Sequence, residues 1–144
     1  MQGRAGGPDQ MSGAELRRRV SEMTKYRMSG QIELMLQYFV PEVIVHCHST
    51  KEGLFLPGVL RGRDALRENI RRIDAEYEPI DAEVLDILVE KANTAVRWRN
   101  AWRHRGSGYP RALDMAHFLR WKDGLVTEMF EYLDYHGMMA LACG

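Results

Sequence analysis

The chain of 144 residues carries 20 Lys plus Arg against 20 Asp plus Glu, a net charge of zero, which argues against charge-driven binding to nucleic acid or to a membrane surface. One domain is expected at this length, with enough buried surface for a core without staples. Cys47 and Cys143 match no metal-ligand spacing and are too few for a disulfide framework; with no apolar run for a membrane span and no signal-type start, a cytoplasmic setting is expected.

Residues 1–11 are Gly-rich and unpatterned and read as a disordered tail; residues 12–144 read as a single domain. Ser12-Gly13-Ala14-Glu15 is a capping-box pattern, with Ser12 accepting from the Glu15 amide. Leu16, Val20 and Met23 follow at helical spacing, and Tyr26 extends their stripe. Gly30 breaks the pattern. Gln31 to Phe39 reads as a short second helix with Ile32, Met35 and Leu36 inward, closed by Pro41. Val43, Val45 and Cys47 then alternate with Ile44, His46 and His48, which predicts a strand. Ser49 to Leu60 reads as a loop with a short strand, placed as a lid over a pocket mouth. A third helix opens at Gly62-Arg63-Asp64, where Asp64 favours the N-terminal amides. Leu66, Ile70, Ile73 and Tyr77 form its stripe, and Pro79 ends it. The tail after Tyr135 carries Met138, Met139 and Leu141, a segment suited to packing on its own sheet or on a partner subunit.

Ile80 to Asp134 reads as a meander of antiparallel strands. Val96, Trp98, Asn100, Trp102 and His104 alternate with Arg97, Arg99, Ala101, Arg103 and Arg105, and Leu113 to Trp121 repeats the pattern. Val126 to Asp134 is less cleanly sided. Asp123-Gly124 is the favoured pair of a two-residue type I′ loop, which sets Lys122 opposite Leu125. Carried along the strands, that register puts His117 opposite Phe130, Met115 opposite Tyr132, and Leu113 opposite Asp134. A four-residue loop at Gly106 to Tyr109 sets Trp98 opposite His117, and one at Lys91 to Thr94 sets Ile87 opposite Trp98. Directly opposed residues share a face. That face therefore gathers Trp98, Trp102, Met115, His117, Phe130, Tyr132 and Asp134, the composition of a small-molecule pocket wall or of a closed core.

The order helix, short helix, strand, helix and long meander resembles the nuclear transport factor 2-like superfamily, and within it the SnoaL-like polyketide cyclase and ketosteroid isomerase-like branch. The resemblance is carried by Arg61-Gly62-Arg63-Asp64-Ala65-Leu66 and by Asp123 to Asp134, with Phe130 where that branch often has Trp. It implies an α+β fold, a curved mostly antiparallel sheet wrapped in cone fashion around three helices. It also implies that Asp134 sits where SnoaL-like cyclases keep an acid or base acting on a polycyclic ketone. His117 falls nearest the proton-donating position of ketosteroid isomerases, and Cys47 falls near their general base, whose part a thiol does not play in the same way. Members of the superfamily differ widely in activity, so the fold alone assigns no reaction.

The residues leave two roles open at each position. Asp134 is either an acid–base group, with a carboxyl raised by apolar neighbours, or a cap on adjacent backbone. His117 either polarises an oxygen or is a satisfied core histidine. The two lie about 13 Å apart in the expected register, so both could touch one ligand without touching each other. His46 and His48 project to the same side of their strand, which the resembled fold lays beside the last one, as pocket hydrogen-bonding groups or as a solvent-facing pair; only their spacing supports a two-His, one-carboxylate metal site. On the other sheet face, Arg99 is expected opposite Asp86, and Arg97 in a row with Leu88, Phe118 and Met129. That half-apolar, half-charged face suits a homodimer interface better than nucleic acid. The reading reached is a cofactor-independent enzyme acting on a small hydrophobic carbonyl ligand, with no metal and no cofactor. Asp134 and His117 are its catalytic pair, and Trp98, Trp102, Met115, Phe130, Tyr132, His46 and His48 are its binding residues. The rival is a non-catalytic ligand-binding or dimerisation module of the same fold.

Overall fold

Asp123 and Gly124 have φ of 51° and 78°, the two positive values that a type I′ turn requires, and Lys122 pairs with Leu125 across the turn. The computed structural model describes residues 11–48, 58–134, 136–137 and 140–141. The expected tail (apart from Met11), most of the expected lid and the Met138–Met139 pair lie outside the described residues.

The elements are α1 (Gly13–Met28), α2 (Ile32–Leu36), β1 (Phe39–His48), β2 (Val59–Arg61), α3 (Arg63–Glu76), β3 (Tyr77–Glu90), β4 (Asn93–His104), β5 (Pro110–Lys122) and β6 (Leu125–Leu133). They form the expected α+β architecture: one six-stranded sheet in the order β2-β1-β6-β5-β4-β3, antiparallel except where β1 runs parallel to β6. Ser12 caps α1, its hydroxyl accepting from the Glu15 amide at 3.1 Å. The Glu15 carboxylate turns instead to Arg18 and Arg19, so only half of the capping box forms.

Leu16, Val20 and Met23 of α1, Met35 and Leu36 of α2, and Leu66 and Ile70 of α3 bury against Val43, Val45, Val96, Trp98, Leu119 and Val126 of the sheet. A second cluster joins Tyr77, Trp102, Leu113 and Leu141, so the C-terminal segment does pack on its own sheet. Two prolines fall differently from expectation. Pro41 lies within β1, between the register positions of Phe39 and Ile44 where pairing with β6 is interrupted. Pro79 lies in β3, an edge strand that tolerates a missing donor. Helix α3 already ends at Glu76, and Tyr77 starts the strand.

Irregularities decide the faces. Lys91 and Ala92 make a two-residue loop, and Asn93 to Arg103 pair so that Trp98 faces Met115 and Val96 faces His117. That is two residues from the expected register and keeps the β4 and β5 side chains on their expected faces. In β3, bulges between Val84 and Asp86 and between Pro79 and Asp81 turn Val84 and Ala82, not Leu85 and Glu83, toward the inner face. On β6 a bulge intervenes: Trp121 pairs with Val126 but Arg120 pairs with Glu128, leaving Thr127 as the extra residue. Beyond it the register moves by one, so His117 faces Glu131, Phe118 faces Phe130 and Met115 faces Leu133. Met129, Glu131 and Leu133 thus turn inward, while Glu128, Phe130 and Tyr132 turn outward.

Candidate functional site

Between the inner face of the sheet and helices α1 and α3 lies a cavity of about 120 Å³, measured as the volume open to the centre of a water molecule. That is roughly ten times what a single buried water needs. Its wall is apolar over most of its extent, with Met23, Phe39, Ile70, Trp98, Trp102 and Met115 among the lining residues. Five polar side chains interrupt it: Thr24 and Arg27 from α1, Asn69 from α3, His117 from β5 and Glu131 from β6. A mostly apolar hollow with a few convergent polar groups is the usual form of a small-molecule site.

Glu131 is the centre of the polar set. Its Oε1 lies 3.3 Å from His117 Nε2, and its Oε2 accepts from the Cys47 thiol at 3.6 Å. On the other side of the imidazole, the Trp98 indole donates to His117 Nδ1 at 3.2 Å. Burial is the largest influence on the Glu131 carboxyl and raises its pKa. The hydrogen bond from His117, then the Cys47 thiol and the Arg27 guanidinium, act the other way, and the group is held below the ordinary glutamate value. Burial, the Glu131 charge and the hydrogen bond to Glu131 push the Cys47 thiol up to about 12, so it stays protonated and serves as a donor rather than a nucleophile.

Arg27 approaches from the last turn of α1. Asp74 pairs with it through one hydrogen bond, Nη1 to Oδ2 at 3.1 Å, and an ion-pair contact of Nη2 with Oδ1 at 2.9 Å, and its guanidinium stands 5.2 Å from the centre of the Trp102 ring. Held at both ends, it has little rotamer freedom to lose on meeting a ligand.

Trp98, Trp102, Met115 and His117 line the cavity as expected. The bulge removes Phe130 and Tyr132 from it. Phe130 stacks on His46 with ring centres 4.4 Å apart, and Tyr132 meets Phe118 edge-on, both on the outer face. His46 is outside too, its Nε2 2.8 Å from Glu128 Oε2. The side chain of His48 lies outside the description, although its backbone pairs with Tyr132. Among the described residues no group of three or more His, Cys, Asp or Glu is arranged to hold a metal ion. Asp134 lies just past the end of β6, exposed, with Oδ1 accepting the Gly137 amide at 2.9 Å. That is the capping arrangement, and Asp134 is not among the described residues that line the cavity.

Glu131, Arg27, Asn69 and Thr24 escaped the sequence reading. The signal for Glu131 was the uneven siding of Val126 to Asp134: a bulge restores the alternation and turns Glu131 inward.

The matching family model is the SnoaL-like domain, over residues 20–129. The chain belongs to the SnoaL-like domain family. Solved structures place this SnoaL-like domain in the same fold. A nuclear transport factor 2-like protein from Burkholderia pseudomallei superposes with a TM-score of 0.78 at 16% identity, covering 93% of this chain and 100% of that one. TsrD from Streptomyces laurentii gives 0.74 at 19% identity, covering 91% and 96%. A protein of ketosteroid isomerase-like fold from Catenulispora acidiphila, in complex with trimethylamine, gives 0.74 at 15% identity, covering 87% and 92%. No curated protein matches this SnoaL-like domain.

Proposed function

We propose that this SnoaL-like domain is a cofactor-independent enzyme performing acid–base chemistry on a small hydrophobic carbonyl compound, with Glu131 as the general base. The observation that carries the reading is a carboxylate kept ionised on the wall of an otherwise apolar cavity. Glu131 takes a proton from the carbon next to the carbonyl; the C–H electron pair moves into the enolate, and its oxygen gains the negative charge. Arg27 stabilises that oxygen, since a fixed guanidinium in a water-poor site acts far more strongly there than in bulk water. In a carbonyl compound with a carbon–carbon double bond next to that carbon, the enolate is a dienolate. The proton returns at the far end of the shifted double bond, with the electrons moving back to re-form C=O, which completes an isomerisation. Cyclisation or dehydration uses the same enolate.

A low pKa makes Glu131 ionised but weakly basic. Ligand entry corrects this, because expelling the remaining cavity water strengthens the desolvation that already pushes its pKa upward. His117 has both ring nitrogens engaged, by Trp98 and by Glu131, so its part is to hold the base. The oxygen-polarising part expected of it passes to Arg27, and the proton-moving part expected of Asp134 passes to Glu131.

The test is deuterium uptake at the α-carbon of a panel of enolisable ketones, followed by NMR. Glu131→Gln keeps the shape and is expected to slow exchange by about 10²- to 10⁴-fold while the ketone still binds. Equal exchange in both proteins sinks the base assignment. Binding with no exchange in either places the chain with non-catalytic ligand-binding modules.

Two copies are proposed to associate through the outer sheet face. Leu88, Phe118 and Tyr132 are exposed at 68%, 49% and 44%. Around them Arg97–Asp86, Arg99–Asp114, Arg103–Glu78 and Arg120–Glu128 alternate charge. Such balance lets a two-fold partner meet the face without net repulsion. Phe118→Arg should turn a sedimenting dimer into a monomer; an unchanged dimer rejects this face. The buried free thiol of Cys47 suits a reducing cytoplasm.

A further inference from the structure

Besides lining the cavity, Trp98 makes a directional bond that its packing does not require. An indole nitrogen can only donate, so the 3.2 Å contact from Trp98 Nε1 makes His117 Nδ1 an acceptor that carries no proton. In a neutral imidazole the proton then resides on Nε2, and Nε2 is the atom that faces Glu131 Oε1 at 3.3 Å. The opposite tautomer brings two donors together at Trp98 and leaves two acceptors facing each other at Glu131. The indole N–H at one end and the ionised Glu131 carboxylate, which can only accept, at the other therefore set a single polarity for the whole chain of contacts. We infer that Trp98 is a positioning residue: it fixes the Nε2–H tautomer of His117 and so aims an imidazole N–H at the carboxylate of Glu131.

The surroundings make the bond persistent. Trp98 is 5% exposed, in the centre of β4, and its ring sits 5.2 Å from the imidazole at 52°, so indole and imidazole move as a packed unit. Val96 lies directly across from His117. The only other hydrogen bond to Glu131 from the described residues is the Cys47 thiol on Oε2, a weak donor. His117 is thus the strong donor that sets the tilt of the carboxylate, and Trp98 sets His117. Replacing Trp98 by another large apolar residue keeps the wall and loses this control.

The inference rests on the proposed role of Glu131 for its effect on rate, but not for its structural content, and the tests separate the two. In ligand-free protein labelled with ¹⁵N at histidine, long-range proton–nitrogen spectra report which ring nitrogen of His117 is protonated. The expected result is Nε2 protonated and Nδ1 bare in the native protein, and a mixture of tautomers in Trp98→Phe. On an exchanging ketone, Trp98→Phe should lower kcat by about 10- to 100-fold, the range for losing a bond that orients a functional imidazole, with KM nearly unchanged. A native His117 carrying its proton on Nδ1 overturns the inference without recourse to any variant. So does a Trp98→Phe protein that keeps a pure Nε2–H tautomer. If no ketone exchanges but the tautomer is fixed in the native protein and released in the variant, Trp98 keeps its role and the general-base reading of Glu131 falls.

Discussion

Two His–Glu pairs stand on opposite faces of β6, and they are nearly matched in everything except their surroundings. His117 and Glu131 approach to 3.3 Å with side chains 14% and 22% exposed; His46 and Glu128 approach to 2.8 Å, each 24% exposed. Exposure therefore does not tell them apart. The outer carboxylate also takes Arg120 at 3.4 Å, so it is shared between two cation-forming side chains beneath a stacked Phe130. Among the described residues the inner carboxylate is hydrogen-bonded to an imidazole and a thiol, with the Arg27 charge nearby, and it borders an apolar cavity. The same pair of residue types closes a surface network on one side and supports the proposed base on the other. Chemistry is assigned by what the carboxylate faces, not by the pair.

The most drastic way to break the contrast is to remove its cause. Deleting Thr127 takes out the bulge residue, and β6 then either loses its pairing or presents Phe130 and Tyr132 inward and Glu131 outward. The expected loss exceeds about 4 kcal/mol, seen as an unfolded circular dichroism spectrum at room temperature; a native melt rules out the bulge as the switch. Next comes the paired substitution. Glu131→Gln slows ketone exchange by about 10²- to 10⁴-fold, and Glu128→Gln leaves the rate as it was.

A smaller effect sharpens the inner pair. The Glu131 carboxyl titrates below its ordinary 4.5 in the folded chain, so its stabilisation is fully present above that pH and is lost as pH falls beneath it. In urea titrations, Glu131→Gln should therefore show a flatter decline of stability between about pH 5 and pH 3 than the native chain. A steeper decline contradicts the direction of the shift. The smallest effect belongs to the outer face. Arg97 and Asp86 are each 55% exposed, so Asp86→Asn should cost about 0–1 kcal/mol and nothing at high salt.

Legibility followed the parity of each hairpin. The β4–β5 register differs from the expected one by two residues, and no residue changes face, so Trp98, Trp102, Met115 and His117 all lie on the inner face of the sheet. The β5–β6 register was misplaced by one, and Phe130 and Tyr132 exchanged sides with Met129 and Glu131. The Asp123–Gly124 turn was read correctly, and the error entered three residues beyond it. Arg97 rather than Arg99 meets Asp86, again a two-residue displacement that kept the face. Arg27 could not be found by any register, because it reaches the cavity from a helix whose stripe reads as plain core.

Local patterns marked the helix cap, the tight turn and which strands are half buried, and the order of elements they give carried the resemblance that implied the fold class. These depend on neighbours within a few residues, and the chemistry of caps, turns and alternation is carried by the side chains themselves. Which carboxylate enters the cavity was decided only when the strands were laid together. One extra residue in a strand is nearly free of local signature, yet it rotates everything after it by half a turn. The grip of Asp74 on Arg27 and the bond from Trp98 to His117 likewise join residues that only the folded chain brings within reach.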